Sequence, residues 1–335
     1  MTFNIARAAR LLFCLGWTLT ATALSPAFAQ PANQAATKGF PSRPVRTLVP
    51  LPAGGSMDTI VRGLSQRLTE SFGQTFVVDN RPGAGSLVAL DILSTAAPDG
   101  HTLMGVGGTT IVYPLLYKSR YDIARDFAPV AQLTAHGYVL VIHPGVPAKS
   151  VAEFVQHLKA NPEKVNYSSS GIGTSGHFTM ELLNSITGFD TRHVPYRGAA
   201  PALTAVISGE VQMAFLVPPL VTQYLPIGKL RALGISSAAR SNVFPQIPTL
   251  QEQGVRGYEA LQWHGFFGPA AIPDAIVNTL HAAIIKALAH PEVKSRLSSE
   301  GAEIVGSTPA QFAAYFQSEV AKWTSVAKRA GIQPQ

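Results

Sequence analysis

The groups in this chain best placed to do chemistry are the backbone amides and hydroxyls of glycine-rich segments, not paired acids or thiols. Ala53-Gly54-Gly55-Ser56-Met57-Asp58 follows an apolar run, Thr47–Leu51. Met57, Ile60, Val61, Leu64 and Leu68 then recur at helical spacing. Ser56 is expected to cap that helix, with Asp58 in its first turn. The first N–H groups of a helix have no internal acceptor and carry the positive end of its dipole, so bare glycine backbone there can receive an anion. Asn166-Tyr-Ser-Ser-Ser-Gly-Ile-Gly-Thr-Ser-Gly-His177 is a second strand-to-helix turn of this kind, and Gly107-Gly-Thr-Thr110 a third. The second segment adds hydroxyls at Ser168, Ser169, Ser170, Thr174 and Ser175, each able to donate to a carboxylate.

Other chemistries fit less well. From Gly171 the second loop reads G-x-G-x-x-G, but the next strand, Arg192–Tyr196, ends in Tyr196-Arg197-Gly198, without the acid that would hold a ribose hydroxyl. Ser175 does not sit in G-x-S-x-G, because His177 takes the last position. The nine histidines show no metal-ligand spacing. A secreted α/β hydrolase using His177 with a nearby serine is the competing reading, and it lacks any nucleophile–base–orienter spacing. His177 and His264 are the two histidines expected near a cleft, each as a structural hydrogen-bonder before a base.

The 335 residues, 46% hydrophobic and 13% charged, suffice for two substantial cores. Residues 1–29 resemble a secretory signal. Arg7 and Arg10 precede the apolar run Leu11–Leu24, and Ala27-Phe-Ala29 forms a small-x-small cleavage pattern, so cleavage is expected after Ala29 and the protein in the periplasm. Residues 30–39 read as a disordered lead-in. The single cysteine, Cys14, lies in the signal, which leaves no thiol, disulfide or cysteine metal site. The net charge of +7 falls to about +5 without Arg7 and Arg10, a mild bias toward anionic solutes. No Lys/Arg cluster interleaved with aromatics speaks for nucleic acid.

Strands and helices alternate in two series, one from Thr47 to about Thr110 and one from Tyr138 to Ser236, followed by helices at Pro273–Leu288, Pro291–Ser299 and Pro309–Gly331. A helix is expected over Pro219–Pro226. Two lobes follow, each a mostly parallel sheet flanked by helices: residues 40–136 plus 258–335, and residues 137–257. The hinge strands fall around Tyr138–Val141 and Leu261–Phe266, and the helical tail packs back on the first lobe. Ligands of such sheets sit beyond the carboxyl ends of the strands, where the glycine-rich loops fall.

Phe40-Pro-Ser-Arg-Pro-Val-Arg46, Val49–Asp58, Asn80-Arg-Pro-Gly-Ala-Gly85, Ala97-Pro-Asp-Gly100, Asp126-Phe-Ala-Pro129, Tyr167–His177, Pro195-Tyr-Arg-Gly198, Gly228-Lys-Leu-Arg-Ala232 and Pro245–Gly254 occur in order. On these stretches the chain, from about Phe40 to Ile332, resembles the Bug-type periplasmic solute-binding proteins of the tripartite tricarboxylate transporter family. The resemblance implies a two-lobe type II periplasmic-binding-protein fold, no enzymatic activity and no cofactor or metal. It implies a small organic acid held between Ala53, Gly54, Gly55, Ser56 and Asp58 on one side and Gly173, Thr174, Ser175, Gly176 and His177 on the other. Gly108, Thr109, Ser169 and Leu216 complete the expected site. The expected partners are membrane permease subunits or a sensor, with the protein itself a monomer. Three departures bear on the ligand. Leu216 stands where the family usually has an Asp able to meet a ligand amine, Tyr113 where it often has Asn, and His264 where it often has Tyr. Loss of that Asp implies a ligand without an amino group and with a more apolar tail.

Overall fold

The computed structural model describes residues 39–83, 86–116, 121–161, 165–189, 191–299 and 301–332, without the side chains at 113, 115, 116 and 299. The expected signal segment, its cleavage point and nearly all of the lead-in lie outside the described residues, as does the side chain of Tyr113.

Strand β1 (Val45–Val49) is buried almost throughout. Helix α1 (Ser56–Phe72) buries Met57, Ile60, Val61, Leu64 and Leu68 along one face and stops at Gly73, whose positive φ no β-carbon opposes. Ser56 is not the cap. Gly55 holds that position without a side-chain bond, and Ser56 is the first helical residue. The series continues through β2 (Phe76–Asn80), α2 (Leu87–Ser94), β3 (Thr102–Gly107) and α3 (Gly108–Leu116) to β4 (Phe127–Gly137). The second series comprises β5 (Val139–Ile142), α4 (Val151–Ala160), β6 (Asn166–Ser169), α5 (Ser175–Thr187), β7 (Arg192–Pro195), α6 (Ala199–Ser208), β8 (Met213–Leu216), α7 (Pro218–Val221) and β9 (Arg231–Ile235). The return consists of β10 (Leu261–Pro269), α8 (Asp274–Leu288), α9 (Pro291–Ser299), β11 (Glu303–Ile304) and α10 (Pro309–Arg329). The expected helix over Pro219–Pro226 is one turn long, because the chain after Val221 bends toward Gly228, which takes a positive φ.

Two sheets form, ordered β11-β4-β10-β3-β1-β2 and β7-β6-β8-β5-β9. The two-lobe α/β architecture is present, but the sheets are mixed. Strands β1, β2 and β3 run parallel, as do β6, β7 and β8. The strands nearest the crossovers, β4 with β10 and β5 with β8 and β9, pair antiparallel. The reason is that β4 and β10 are the strands by which the chain leaves and re-enters the first sheet, and they run side by side in opposite directions. Helix α10 packs on β4 and α3 as expected, and also on α5 of the second sheet.

The chain crosses between sheets at Tyr138 and returns through Tyr258–Ala260. Ser236, fully buried, ties the two crossings together. Its N–H donates to the Tyr138 carbonyl (2.9 Å) and its Oγ accepts the Tyr138 N–H (2.7 Å). The same Oγ donates to the Ala260 carbonyl, while the Ala260 N–H donates to the Ser236 carbonyl (3.0 Å). Gly137 is required by close approach: a β-carbon there would press within 3 Å of Ile235 and Ser237.

Candidate functional site

The carboxyl ends of β3, β6, β7 and β8 border a cavity of about 250 Å³. Thr109 enters it just after β3, and Ser170, Thr174, Ser175 and Gly176 from the loop between β6 and α5. Ala199 follows β7, Leu216 and Val217 end β8, and Phe215 and Leu220 complete that wall. Tyr138 and Gln262, from the two crossings, close the back. Among the described residues no charged side chain lines this cavity.

One end presents hydrogen-bond donors. The first amides of α5 have no acceptor within the helix, and the Thr174 side chain does not cap them, because its hydroxyl donates to the Gly171 carbonyl (2.7 Å). Gly176 lets this backbone approach β8, since its β-carbon position lies 3.3 Å from the Phe215 carbonyl. Tyr138 is buried, and its hydroxyl makes no formed hydrogen bond although Ser175 stands beside it. Burial raises that hydroxyl well above its ordinary value, so it is a neutral donor. A buried polar atom without a partner calls for an explanation, and a ligand oxygen would supply one. The other end is apolar, formed by Ala199, Leu216, Val217 and Leu220.

The expected site residues divide into three groups. Thr109, Thr174, Ser175, Gly176 and Leu216 line the cavity, and Gly108 lies against it, with its β-carbon position 3.8 Å from Ser175 Oγ. Ala53, Gly54, Gly55 and Ser56 do not line it. The first three are exposed, and Ser56 is half-buried at the helix start. They reach the cavity only through neighbours: Met57 of α1 packs under Gly107, and Gly108 meets Ser175. In this loop it is Gly54, not Gly55, whose φ of +89° demands glycine.

Asp58 serves the loop itself. Its carboxylate accepts from the Gly54 N–H (2.9 Å), from Arg62 Nε (2.9 Å) and from Asn80 Nδ2 (2.9 Å). Burial pushes this carboxyl up, but the bonds from Arg62, Gly54 and Asn80 outweigh it and leave it below its ordinary value. Ser169, Gly173 and His177 also turn away from the cavity. Ser169 is buried and bonded to Gly171 and His193, and His177 accepts the Gly173 N–H (3.2 Å) and lines a different cavity. His264 is buried between β4 and β10 against Thr134 Oγ1 (3.0 Å), with burial and then His136 pushing it down to about 3. Gln262, two residues earlier in β10, faces the site instead.

Tyr138, Gln262, Ala199, Phe215, Val217 and Leu220 are the cavity residues that sequence reasoning did not reach. The signal for the first two was their position in the expected hinge strands. Among the described residues no group of three or more His, Cys, Asp or Glu could hold a metal ion.

The chain is also similar to known proteins. Residues 60–332 match the family described as "Tripartite tricarboxylate transporter family receptor". The UPF0065 protein from the tcbD–tcbE intergenic region of Pseudomonas sp. strain P51 is 36% identical, covering 85% of each chain. Among solved structures, R. palustris Rpa4515 with adipate is 32% identical with a TM-score of 0.74, covering 88% of this chain and 100% of that one. MatC of Rhodopseudomonas palustris, with bound malate, is 32% identical with a TM-score of 0.70, covering 86% and 99%. With most of its length matched by the family and by these relatives, the chain belongs to the tripartite tricarboxylate transporter receptor family.

Proposed function

We propose that this protein captures a small organic acid lacking an α-amino group and presents it to the membrane permease of a tripartite transporter. It does so as a monomeric periplasmic receptor without catalytic activity. The observation that carries the reading is the cavity itself, which joins unspent α5 amides and a partnerless Tyr138 hydroxyl to an apolar wall at Leu216. A carboxylate seated on the amides gains charge-assisted hydrogen bonds of about 1.5–3 kcal/mol each. An ammonium against Leu216 loses water and finds no counter-charge, at a cost of at least a few kcal/mol. The cavity is at the small end for ligand sites, which suits an acid of metabolite size. Relatives solved with adipate and with malate hold acids of this class.

The same reading divides the chain into lobes of residues 40–136 plus 258–335 and residues 137–257, swinging about the crossings clipped by Ser236. The open side of the first loop is then the outer jaw, closing on ligand through the free amides after Gly54. Only the Pro52 carbonyl lies within 4 Å of a β-carbon at Gly55, whose φ is −81°. Gly55→Val should therefore melt within about 1 °C of the native protein, surface changes of this kind being nearly neutral, and bind its acid at least tenfold more weakly. An unchanged affinity would remove the first loop from the site.

The hydrolase reading has no support in the geometry. The hydrogen bond of the His177 ring is to a backbone amide, and the Ser169–His193 pair, 2.7 Å apart, is turned away from the cavity with Ser169 committed to Gly171. A thermal-shift screen of mono-, di- and tricarboxylates, including adipate, malate and aromatic acids, tests the proposal. At least one acid should raise Tm without being consumed, and aspartate and glutamate should not. Stabilisation by amino acids alone, or turnover of an acid, would overturn it.

A further inference from the structure

His177 lines a separate cavity of about 480 Å³, together with His193, Glu181 and Arg329. The two imidazoles stack with centroids 4.1 Å apart and planes 9° from parallel. Both hold the loop whose other face forms the acid site. The Gly173 N–H donates to His177 Nδ1, so the neutral ring carries its proton on Nε2. Ser169 Oγ spends its one proton on the Gly171 carbonyl (2.9 Å) and accepts the Gly171 N–H (3.1 Å). With that proton on Gly171, His193 Nε2 donates to Ser169 Oγ across 2.7 Å. The consequences of protonation differ. A charged His193 keeps its bond, because Nε2 already donates. A charged His177 loses its bond, because Nδ1 then carries a hydrogen facing the Gly173 N–H.

We propose that His177 is a positioning residue of the ligand loop: as an uncharged acceptor it holds Gly173 in place, and protonation of its ring releases the loop. The groups facing the ring come from four elements. His193 on β7 and Tyr167 on β6 stack with it, Glu181 lies one turn further along α5 with its carboxylate accepting the Tyr167 hydroxyl, and Arg329 approaches from α10. Burial first, and the neighbouring His193 second, push His177 down to about 4, so the ring is neutral in the held loop at pH 7. An imidazole whose value is depressed by structure contributes stability above its ordinary value of 6.5, and that contribution drains away as pH falls from there toward 4. If release restores the ordinary value, linkage makes opening roughly twentyfold more favourable at pH 5 than at pH 7.

Hydrogen exchange without any ligand tests this, and so stands apart from the acid screen on which the loop's function rests. Amide protection over residues 171–174, corrected for intrinsic rates, should fall roughly twentyfold between pH 7 and pH 5. Amides of α8 serve as the reference, because His136 and His264 are also held neutral by burial and weaken the whole fold in acid. His177→Asn places a non-titrating oxygen near the Nδ1 position, so it should keep native protection at pH 7 and lose the extra fall. His193→Gln keeps a donor toward Ser169 and should retain it. Loop protection that tracks α8 in the native protein, or an extra fall that persists in His177→Asn, would overturn the proposal. Should His177→Asn not fold, NMR decides on the native chain: titration of His177 with the Gly173 amide shift unmoved also overturns it.

Discussion

Leu216→Asp should weaken capture of organic acids by roughly a hundredfold or more while leaving a folded but less stable protein. Leu216 ends β8 opposite Val139 and is 5% exposed, with one side in the core of the second sheet and the other in the cavity wall. Two carboxylates about 6 Å apart at an effective dielectric of about 20 repel by about 3 kcal/mol, roughly a hundredfold in affinity. Lost apolar contact with the ligand adds to this at about 25 cal/mol per Å². The substituted carboxylate also has no partner among Val139 and its neighbours, so stability should fall by several kcal/mol. Leu216→Asn separates the two effects, since it removes apolar surface without adding charge and should weaken binding far less. Calorimetry at pH 7.5 with the acid selected by the thermal screen is the measurement. Unchanged affinity in Leu216→Asp, or tight binding of aspartate by the native protein, would mean that the side chain belongs to the core alone.

Glu319→Ala is expected to be among the most destabilising single changes in the chain. Glu319 is 2% exposed, and its Oε2 accepts from the indole nitrogens of Trp263 (3.2 Å) and Trp323 (2.9 Å). Its other oxygen pairs with Lys322, which also donates to the Glu259 carbonyl (3.1 Å) in the return crossing. Trp263 belongs to β10, and Trp323 meets Phe178 of α5 edge-on at 6.0 Å. One carboxylate thus ties the last helix to both sheets. Its removal strands two buried indole donors and loosens an ammonium, a loss of about 3–5 kcal/mol by comparison with other broken buried pairs. Glu319→Gln retains an acceptor and should lose about half as much. Thermal denaturation should show a fall of about 5–10 °C for Ala. A melting point within 1 °C of native would show the network to be incidental.

The parallel core of each sheet was legible because its signals are local. Apolar runs of strand length, helical spacing after them and glycine at the turns lie within about thirty residues of one another. Strand β4 was not, and its residues explain why. Gln132, Thr134 and His136 alternate with Ala131, Leu133 and Ala135 as in a strand with one wet face, yet all six are buried, so the pattern does not mark an eleven-residue strand covered on both sides. Two of them find partners far away in sequence. The Gln132 N–H donates to Ser307 Oγ, and Thr134 Oγ1 pairs with His264.

The second loop could be read as an anion receptor from its glycines and hydroxyls, but not which of its groups face the cavity. His177 and Ser169 turn inward because His193, on another strand, stands behind them. Asp58 was placed at a helix start by position alone, and only the fold reveals Arg62 and Asn80 already bound to it.

Strand β10 lies between β3 and β4. A chain emerging from its N-terminus therefore makes β3 and β4 long before the strand that joins them. Until residue 269 is available, both keep bare ladder edges, which is a template for wrong pairing between nascent chains. The first sheet can close only once residues 261–269 have emerged, through a contact between distant parts of the sequence, which topology makes slow. The second sheet, contiguous from Val139 to Ile235, suffers no such delay and can form first. The order in which the two sheets can be completed is thus the reverse of the order in which the chain begins them: the sheet started second has all its strands first.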